Sequence, residues 1–423
     1  MSENFEGKKI LIMGLGVNGG GVNAAKYFLK KKAKVLITDL KGKKELSASI
    51  KQLKSYSPEY MLGMHREEDF FSADLIIKNP AVPRDSVFLK KALEKGIPVK
   101  TDVQIFFDLC KAKIVGITGT KGKTTTSTLI YLFLKKKYKK VFLAGNMGLS
   151  PLDILDKTDF KSIVVLELSS FELEDLDKSP EIAVITNLFE DHLNRYKSFE
   201  EYITAKKNIF RYQSKDDFLV LNIKNKNLAK EIPSKTIFFG RENFKTLLMG
   251  DHNLENISAA SKVAEIFGVE KKFQSQVLKR FKGSPHRQEF VAEKKGVRYY
   301  NDTTATNPGS AIESIKTFRK ITKGSLMLIS GGEDKGMDYK EFCKAVEEKV
   351  DLLALIPGSA TEKIKKGTKN YIEGKSLKDA VKKVFSLAKK GDVVVLSPAS
   401  ASFNMFANEF DRGRQFISEV KKL

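Results

Sequence analysis

The amino-acid sequence predicts an α/β fold with mostly parallel sheets, divided into two or three domains. Short runs of aliphatic and β-branched residues alternate with helix-like segments along the whole chain, and this order predicts parallel sheets with helices on both faces. Two glycine-rich loops, beginning at residues 14 and 119, each follow such a run and precede a helix-like stretch. The length of 423 residues exceeds what one compact core usually holds and suits two or three domains.

The predicted strands are short apolar runs bounded by turn residues or charged residues. They include residues 9–13, 35–38, 74–78, 114–118, 162–168, 182–186, 218–222, 326–330, 352–356 and 393–397. We find no fixed-period repeat and no low-complexity linker, so the domain boundaries are taken from motif positions. One boundary is predicted near Thr101, before a second strand–loop–helix unit, and another near residues 283–285, where turn residues end a helix-like stretch. The predicted domains are 1–101, 102–283 and 284–423.

The composition argues against several classes of protein. Hydrophobic residues make up 41% of the chain, which suits a folded protein and argues against disorder. No apolar run approaches the roughly 20 residues that span a bilayer, and the first residues lack the pattern of a signal peptide. Cys110 and Cys343 are the only cysteines, too few for a disulfide framework or a cysteine-rich zinc site. We therefore expect a cytoplasmic protein without membrane insertion.

The formal net charge of +23 has two interpretations. One is an anionic partner such as nucleic acid, a membrane surface or phosphorylated small molecules, which would include a nucleic-acid-binding ATPase. The other is a solvated lysine surface. We prefer the second interpretation, because lysine greatly outnumbers arginine, the lysines are scattered, and no Arg-rich or aromatic-interleaved recognition motif occurs. We expect no nucleic-acid partner.

A glycine-rich loop at residues 119–125 is the central motif. A strand-like run enters this loop, and a helix-like stretch over residues 126–135 leaves it. Glycines allow backbone N–H groups to surround phosphate oxygens, and the helix amino terminus adds a favourable dipole. Lys123 would then reach the terminal phosphates, and the Thr124 hydroxyl would bind Mg²⁺. Ile117 occupies the place of the first glycine of the usual motif, so a plain structural turn is the alternative, but the strand before and the helix after favour ATP binding.

A second glycine loop at residues 14–19 follows the first predicted strand, and Asp39 ends the next one. The spacing fits G-x-G-x-x-G with an acidic residue about 20 positions later, a dinucleotide-binding pattern. A tight structural turn and NAD binding both remain open at this point. Together with the phosphate loop, the pattern favours one site for ATP and another for a nucleotide-linked substrate.

Acidic residues follow two of the predicted strands. Glu167 lies near the carboxyl end of one buried strand, and Asp191 and His192 follow the next. Active sites of open α/β sheets form at this edge, so Glu167 is a candidate Mg²⁺ ligand. Burying its carboxylate without a partner would be costly, which makes a purely structural role less attractive.

Seven segments match, in chain order, the motifs of one enzyme family. They are residues 119–124, 145–148, 167–171, 187–192, 250–256, 285–287 and 301–307. With these segments the chain resembles the Mur ligase family over essentially its whole length. Residues 167–174 and 397–403 are most similar to the members that add D-glutamate. The Asp-Asn-Pro-Arg signature of the members that add diaminopimelate or lysine is absent, as is the His-rich signature of the alanine-adding ones.

The resemblance implies a Rossmann-like N-terminal domain for uridine diphosphate, a central P-loop-type ATPase domain, and a Rossmann-like C-terminal domain for the amino acid. It implies an ATP-dependent acid–amino-acid ligase that joins D-glutamate to UDP-N-acetylmuramoyl-L-alanine through an acyl phosphate, in cytoplasmic peptidoglycan precursor synthesis. The implied cofactors are ATP and Mg²⁺ at two sites, and we expect a monomer. A ligase like folylpolyglutamate synthase is the alternative, but that enzyme begins with the ATP loop and has no N-terminal nucleotide domain of this type.

The resemblance also assigns residues to each ligand. The residues implied for ATP are Gly119, Thr120, Lys121, Gly122, Lys123, Thr124, Thr125, Asn253, Asn256, Arg287 and Asp302. The residues implied for the UDP-linked substrate are Val17, Asn18, Asp39, Lys41, Asn79, Asn146 and His192. The residues implied for D-glutamate are Thr306, Lys335, Ser402 and Phe410.

The implied catalytic residues are Lys123, Glu167, His192 and Lys206. Thr124 and Glu167 would hold one Mg²⁺, and His192 and Lys206 would hold the second. Lys206 matches a position that is carbamylated in the family, and a carbamate gives a lysine the metal-binding chemistry of a carboxylate.

Three positions depart from the family pattern. Residues 79–81 read Asn-Pro-Ala where the diphosphate-contacting turn usually reads Ser-Pro-Gly. Thr304 stands where the glutamate-adding members usually carry lysine, and Phe410 is shifted by one position. The change at Thr304 removes a cation, so Lys335 is expected to become the main cation for the D-glutamate carboxylates.

Overall fold

The computed structural model describes residues 4–16, 20–145, 149–191, 195–230, 232–403 and 405–423. The strands in these residues form three sheets. The first sheet is parallel, in the order β3-β2-β1-β4-β5. Its strands are β1 Lys9–Met13, β2 Lys34–Asp39, β3 Glu59–Leu62, β4 Leu75–Lys78 and β5 Val99–Lys100. The helices of this N-terminal unit are α1 Gly20–Lys30, α2 Ser47–Lys51, α3 Glu67–Phe71 and α4 Val87–Glu94.

The second sheet is also parallel, in the order β11-β10-β9-β6-β8-β7. Its strands are β6 Lys113–Thr118, β7 Val141–Gly145, β8 Ile163–Glu167, β9 Ile182–Ile185, β10 Phe218–Asn222 and β11 Lys235–Phe239. The helices of this central unit are α5 Asp102–Leu109, α6 Lys123–Leu134, α7 Leu152–Leu155, α8 Ser170–Leu173, α9 Phe199–Arg211, a 3-10 helix Ile223–Ala229, α10 Asp251–Ile266 and α11 Lys271–Leu278.

The third sheet is mixed, in the order β12-β13-β17-β14-β15-β16, because β12 pairs antiparallel with β13. Its strands are β12 Glu289–Lys294, β13 Val297–Asn301, β14 Leu326–Gly331, β15 Leu352–Ile356, β16 Tyr371–Glu373 and β17 Val393–Leu396. The helices of this C-terminal unit are α12 Pro308–Ile321, α13 Lys340–Lys349, α14 Ser359–Gly367, α15 Leu377–Leu387 and α16 Glu409–Lys421.

The N-terminal and central units share one apolar cluster, whereas the C-terminal sheet has its own clusters on its two faces. Helix α5 joins the first two units, because its residues Val103 and Phe106 are fully buried in the shared cluster. Buried apolar contact of this kind is the main stabilising contribution to a fold and resists relative motion of the packed elements. We infer that the first two units are coupled more tightly to each other than either is to the third.

The predicted α/β class with mostly parallel sheets is confirmed, and each of the ten predicted strands lies within one or two residues of an observed strand. The prediction did not include seven observed strands, which are β3, β5, β7, β11, β12, β13 and β16. Charged residues interrupt the apolar pattern in β12, and β5 has only two residues. The predicted boundaries at residues 101 and 283 stay predictions. None of the described helices has the length and low charge needed to cross a bilayer.

Candidate active site at the junction of the three units

The phosphate loop connects β6 to α6, as the sequence predicts. Gly122 caps the helix with a φ of 83°, in the left-handed region that glycine adopts readily. A Cβ atom at this position would lie 2.1 Å from Oδ1 of Asn256, so both the backbone conformation and the space require glycine. Asn187 fixes the loop from outside, because its Oδ1 accepts from the backbone N–H of Lys121 at 2.8 Å and its Nδ2 donates to the Lys121 carbonyl at 3.0 Å.

Three cationic side chains surround the start of α6. The Nζ of Lys123 folds back over the loop and donates to the carbonyl oxygens of Gly119 at 2.9 Å and Thr120 at 3.2 Å. Lys121 places its Nζ 3.5 Å from Oδ2 of Asp191. Burial lowers the pKa of Lys121 to about 8. Burial also lowers the pKa of Lys123, and the nearby Glu167 opposes that shift.

Arg287 supplies the third cation. Its Nη2 donates to Oγ1 of Thr124 at 3.5 Å, so a side chain that follows the central unit reaches the first turn of α6. A helix amino terminus with converging cations is a binding site for anions such as the phosphates of a nucleotide.

Glu167 is the last residue of β8, and its strand pairs with β6 directly beside the loop. The side chain is 2% exposed, and its Oε2 has no hydrogen-bond partner among the described residues. A buried carboxylate oxygen without a partner is costly and calls for a bound cation or donor. Mg²⁺ is typically held by one or two protein oxygens together with phosphate oxygens and waters. The Glu167 carboxylate and the Thr124 hydroxyl, both beside the phosphate loop, fit such an ion.

Lys206 lies on α9 and is 2% exposed. Its Nζ donates to Oγ1 of Thr118 at 3.2 Å and to the carbonyl of Gly119 at 3.0 Å, and it lies 4.7 Å from the centre of the Tyr202 ring. Both acceptors are uncharged. Burial, and then the neighbouring Lys123, lower the pKa of Lys206 well below its ordinary value.

A cavity of about 820 Å³ opens on one side of the phosphate loop. The predicted ATP residues that line it are Lys121, Gly122, Thr125, Asn253, Asn256, Arg287 and Asp302. Asn256 donates from Nδ2 to Oδ1 of Asn253 at 3.1 Å, so the two amides on α10 form one polar wall. Burial raises the pKa of Asp302 to about 6, although the backbone N–H of Gln288 donates to its carboxylate at 3.1 Å. The cavity size and the mixed polar and apolar walls suit a nucleoside.

A second cavity of about 1200 Å³ lies on the other side of the loop, and all three units contribute to it. The predicted residues that line it are Thr120, Lys121, Gly122, Lys123, Thr124, Glu167, Arg287, Thr306, Lys335 and Phe410. Ser402 does not line it, since this residue is 1% exposed and its Oγ is enclosed without a hydrogen-bond partner among the described residues. The structure therefore brings three of the four residues predicted for D-glutamate to the phosphate loop.

Three of the residues predicted for the uridine nucleotide, Asp39, Lys41 and Asn79, lie at the other glycine loop. Oδ2 of Asp39 accepts from the backbone N–H of Gly16 at 3.1 Å, and its Oδ1 accepts from that of Lys41 at 2.9 Å. Asn79 donates from Nδ2 to the Gly14 carbonyl at 3.2 Å. Asp39 and Asn79 therefore hold the loop in shape, and the Lys41 side chain is exposed beside it. The predicted residues Val17, Asn18, Asn146 and His192 lie outside the described residues.

Two further residues, which the sequence analysis does not single out, shape the surroundings of the site. Glu172 lines the larger cavity and caps α8 together with Ser169. Arg412 is fully buried, and its guanidinium donates to one hydroxyl and three carbonyls in two loops, at Thr303 Oγ1, Thr303 O, Ser400 O and Ala401 O. Arg412 therefore ties the loop after β13 to the loop after β17. The Ser-x-x-Glu capping pattern at 169–172 was a signal for Glu172.

We predict that Glu172→Gln stabilises the protein in alkaline more than in acidic solution. Burial raises the pKa of Glu172 to about 7, with Asp102 and Glu167 as further contributions. The folded protein therefore binds the proton more tightly than the unfolded chain, and stability is lost as the pH rises through about 7. Glutamine keeps an oxygen for the Ser169 cap and removes the charge.

Melting temperatures across pH measure this effect. We expect the variant to melt a few degrees higher than the parent at pH 8 and within about 1 °C of it at pH 5. An equal shift at both pH values would contradict the assignment, because the ionisation of Glu172 would then not be the cause. Glu200→Gln, which removes an exposed carboxylate in the first turn of α9, provides a matched control.

Comparisons with known proteins agree with this geometry. The family model of the Mur ligase middle domain matches residues 117–278, that of the Mur ligase glutamate ligase domain matches 286–400, and that of the MurD-like N-terminal domain matches 8–101. The chain is 38% identical to the UDP-N-acetylmuramoylalanine–D-glutamate ligase of Borreliella afzelii, over 100% of this chain and 99% of the relative. It is 36% identical to the ligase of the same name from a Roseiflexus species, over 97% of each.

Solved structures show the same fold. UDP-N-acetylmuramate–alanine ligase from Thermotoga maritima matches with a TM-score of 0.64 and 20% identity, covering 98% of this chain and 99% of that one. The MurF ligase of the same organism, in complex with ADP, matches with a TM-score of 0.62 and 22% identity, covering 99% and 96%. The chain belongs to the Mur ligase family.

Proposed function

We propose that the protein is an ATP-dependent ligase that joins D-glutamate to UDP-N-acetylmuramoyl-L-alanine in peptidoglycan precursor synthesis. One observation carries the proposal: a phosphate loop with converging cations faces a buried carboxylate, Glu167, in a cleft to which all three units contribute. This arrangement suits the activation of a carboxylate by phosphoryl transfer. The full-length relatives named for this reaction support the choice of substrates.

The first step forms an acyl phosphate. A carboxylate oxygen of the alanyl group attacks the γ-phosphorus of ATP, the bond to the bridging oxygen breaks, and ADP leaves with the electron pair. Lys123 and Arg287, which contact the phosphate loop and the first turn of α6, would offset the negative charge that spreads over the phosphoryl oxygens. The protein contributes positioning and charge rather than a covalent intermediate of its own.

Thr124 and Glu167 would hold one Mg²⁺, because both residues lie beside the phosphate loop. When bound, the ion neutralises phosphate charge and polarises the phosphoryl group. His192 and Lys206 were predicted for a second ion, and His192 lies outside the described residues.

We further propose that Lys206 is carbamylated. The neutral amine of Lys206 attacks the carbon of CO₂ and the nitrogen loses one proton, which gives a carbamate with one negative charge. Its burial among cations and uncharged acceptors favours both the neutral amine and an anionic product. The carbamate would supply the carboxylate-like oxygens that a second Mg²⁺ prefers.

The second step forms the amide. The amine of D-glutamate attacks the acyl carbon, phosphate leaves with the carbon–oxygen bond pair, and the nitrogen loses a proton. Residues of the C-terminal unit that line the larger cavity, among them Thr306 and Lys335, would bind the amino acid next to this carbon. Enclosure by three units limits hydrolysis of the acyl phosphate by water.

We predict that Lys335→Ala weakens binding of D-glutamate. Lys335 lines the cavity close enough to Lys121 to lower the pKa of that residue. The Thr304 hydroxyl cannot replace it, because this group already donates to the carbonyl of His286 at 3.1 Å. We expect the KM for D-glutamate to rise about 10- to 100-fold, since a charge-assisted contact with a carboxylate is lost.

Two matched variants complete this test. Lys340→Ala removes an exposed lysine at the start of α13 and should leave the KM unchanged. Thr304→Lys should lower the KM or leave it unchanged. A normal KM for D-glutamate in Lys335→Ala would show that the amino-acid pocket is wrongly assigned.

Phosphate release with purified substrates tests the proposed function. We expect ATP turnover only when both UDP-N-acetylmuramoyl-L-alanine and D-glutamate are present, and no stimulation by DNA. Turnover with a folate and L-glutamate instead would favour the ligase like folylpolyglutamate synthase, a class whose solved structures resemble this chain in fold at 16–17% identity. The expected monomer and cytoplasmic location stay predictions.

A further inference from the structure

A guanidinium joins the N-terminal and central units beside the turn that follows β4. The Nη1 of Arg195 donates to the carbonyl of Ala81 at 3.0 Å, and its Nη2 donates to that of Pro80 at 3.4 Å. The same Nη2 lies 3.2 Å from Oε2 of Glu174, and the guanidinium carbon lies 5.4 Å from the centre of the Phe171 ring. The Arg195 side chain is 20% exposed. The guanidinium of Arg195 therefore connects the backbone of a turn in the N-terminal unit to a carboxylate of the central unit.

An ion-pair cluster lies next to it. The Nζ of Lys78 lies 2.6 Å from Oδ2 of Asp175, with side-chain exposures of 4% and 14%, and also donates to the carbonyl of Val82 at 3.1 Å. Arg84 reaches Oδ1 of Asp175 at 3.0 Å. A buried ion pair is costly to break, because the remaining charge loses its partner. We call these residues, Lys78, Arg84, Glu174, Asp175 and Arg195, the inter-unit clamp.

The clamp connects two parts of the proposed active site. The clamp residues of the central unit are close in sequence to carboxylates of the site. Glu174 follows Glu167 after the short helix α8, and Arg195 follows Asp191 by four positions. On the N-terminal side, residues 79–82 border the glycine loop through the bond from Asn79 to Gly14. The clamp therefore fixes the glycine loop of one unit relative to the phosphate loop of the other.

We propose that Arg195 is a positioning residue that sets the distance between the nucleotide end of the substrate and the γ-phosphate of ATP, an inference that rests on the proposed function. The UDP-linked substrate must reach from the first glycine loop to the phosphate loop. A misplacement of about 1 Å can reduce a reaction rate about 100-fold. The distance between the loops is therefore as important as the contacts within each loop.

The N-terminal turn keeps its own shape without Arg195. The backbone N–H of Asn79 donates to the Met13 carbonyl at 3.0 Å, and that of Val82 donates to the Asn79 carbonyl at 2.9 Å. The shared apolar cluster holds the two units together independently of the clamp. Removing the guanidinium should consequently leave the fold and nucleotide binding in place while it alters the alignment of the two loops.

Arg195→Lys tests the proposal, because lysine retains a cation for Glu174 but loses the planar fork that binds two carbonyls. Lys31→Gln is the matched control, because it breaks another ion pair between the same two units. In that pair the Nζ of Lys31 lies 2.7 Å from Oδ1 of Asp156, and neither residue belongs to the turn after β4. We expect Arg195→Lys to lower kcat/KM for the UDP-linked substrate about 10- to 100-fold, with the Kd for UDP within about two-fold of the parent. The control should match the parent in all three quantities: kcat/KM, Kd and Tm.

Parental kcat/KM in Arg195→Lys would overturn the proposal. So would a loss of UDP binding together with a large drop in Tm, because Arg195 would then support the fold rather than the alignment. Hydrogen–deuterium exchange of residues 79–84 provides a readout that needs no turnover: exchange should accelerate in Arg195→Lys and not in Lys31→Gln, and unchanged exchange would also contradict the clamp. If the parent protein itself releases no phosphate, the proposed function fails, and the exchange measurement still decides whether the clamp exists.

Discussion

Lys123→Ala is expected to lower the rate of phosphate release at least about 1000-fold, because the phosphoryl charge would lose a preorganised cation of the phosphate loop. The Nζ of Lys123 is held over the loop by the carbonyls of Gly119 and Thr120, so little reorganisation is needed when ATP binds. These bonds contribute little to the fold as a whole, and we expect the Tm to change by no more than about 2 °C.

Initial-rate measurements with saturating substrates test this expectation. Lys135→Ala, at the exposed end of the same helix, is the matched control and should retain parental activity. Thermal stabilisation by ATP should persist in Lys123→Ala, because the backbone N–H groups of the loop remain. A Lys123→Ala protein with more than about a tenth of the parental rate and an unchanged Tm would contradict the phosphate-loop assignment.

Lys206→Ala is expected to be inactive and to regain part of its activity with small carboxylic acids such as acetate. The variant leaves space beside Thr118 and Gly119, where the Nζ of Lys206 lies and its proposed carbamate would be, and a free carboxylate can occupy it. We expect a residual rate below about one hundredth of the parental rate, since the site would lose the proposed carbamate, which serves both as an anion and as a metal ligand in the proposal.

Carbon NMR tests directly whether the proposed carbamate forms. In buffer containing ¹³C-bicarbonate, the parent protein should show a carbamate carbon resonance that Lys206→Ala lacks. Lys207→Ala, the neighbouring lysine on α9, should keep both the resonance and the activity. A parent protein without the resonance, together with an active Lys206→Ala variant, would show that Lys206 is an ordinary buried amine.

The fold was largely predictable because the parallel strands are buried on both faces. Strands such as β8, with five buried residues, read as uninterrupted apolar runs. Glycine-rich turns after such runs predict that Lys123 and Thr124 lie at the carboxyl edge of the sheet. The sequence does not predict the hairpin of β12 and β13, because charged residues stand at both ends of β12 and none of its six residues is buried, so the strand has no apolar pattern.

The site was predictable only in part, because several of its features depend on packing between distant segments. Ser402 was assigned to D-glutamate from a motif, yet the structure encloses its side chain away from the cavity wall. Arg412 donates to carbonyls in two loops, at Thr303 and at Ser400. The first loop lies more than 100 positions before Arg412 in the sequence, and the second lies about 10 positions before it. The contacts of Arg195 with Pro80 and Ala81 likewise require the two units to be in place. No local pattern in the sequence encodes such partners.

The proposed reaction requires an acyl phosphate, and the transfer of an oxygen atom from substrate to phosphate shows whether it forms. UDP-N-acetylmuramoyl-L-alanine labelled with ¹⁸O in both oxygens of the alanyl carboxylate is converted in the presence of ATP, Mg²⁺ and D-glutamate, and the released phosphate is analysed by mass spectrometry. Attack of the carboxylate on the γ-phosphate, followed by carbon–oxygen cleavage, predicts one ¹⁸O atom in each phosphate and one retained in the amide. Unlabelled phosphate would rule out the acyl phosphate, because the phosphoryl group would then have been transferred to water and not to the substrate.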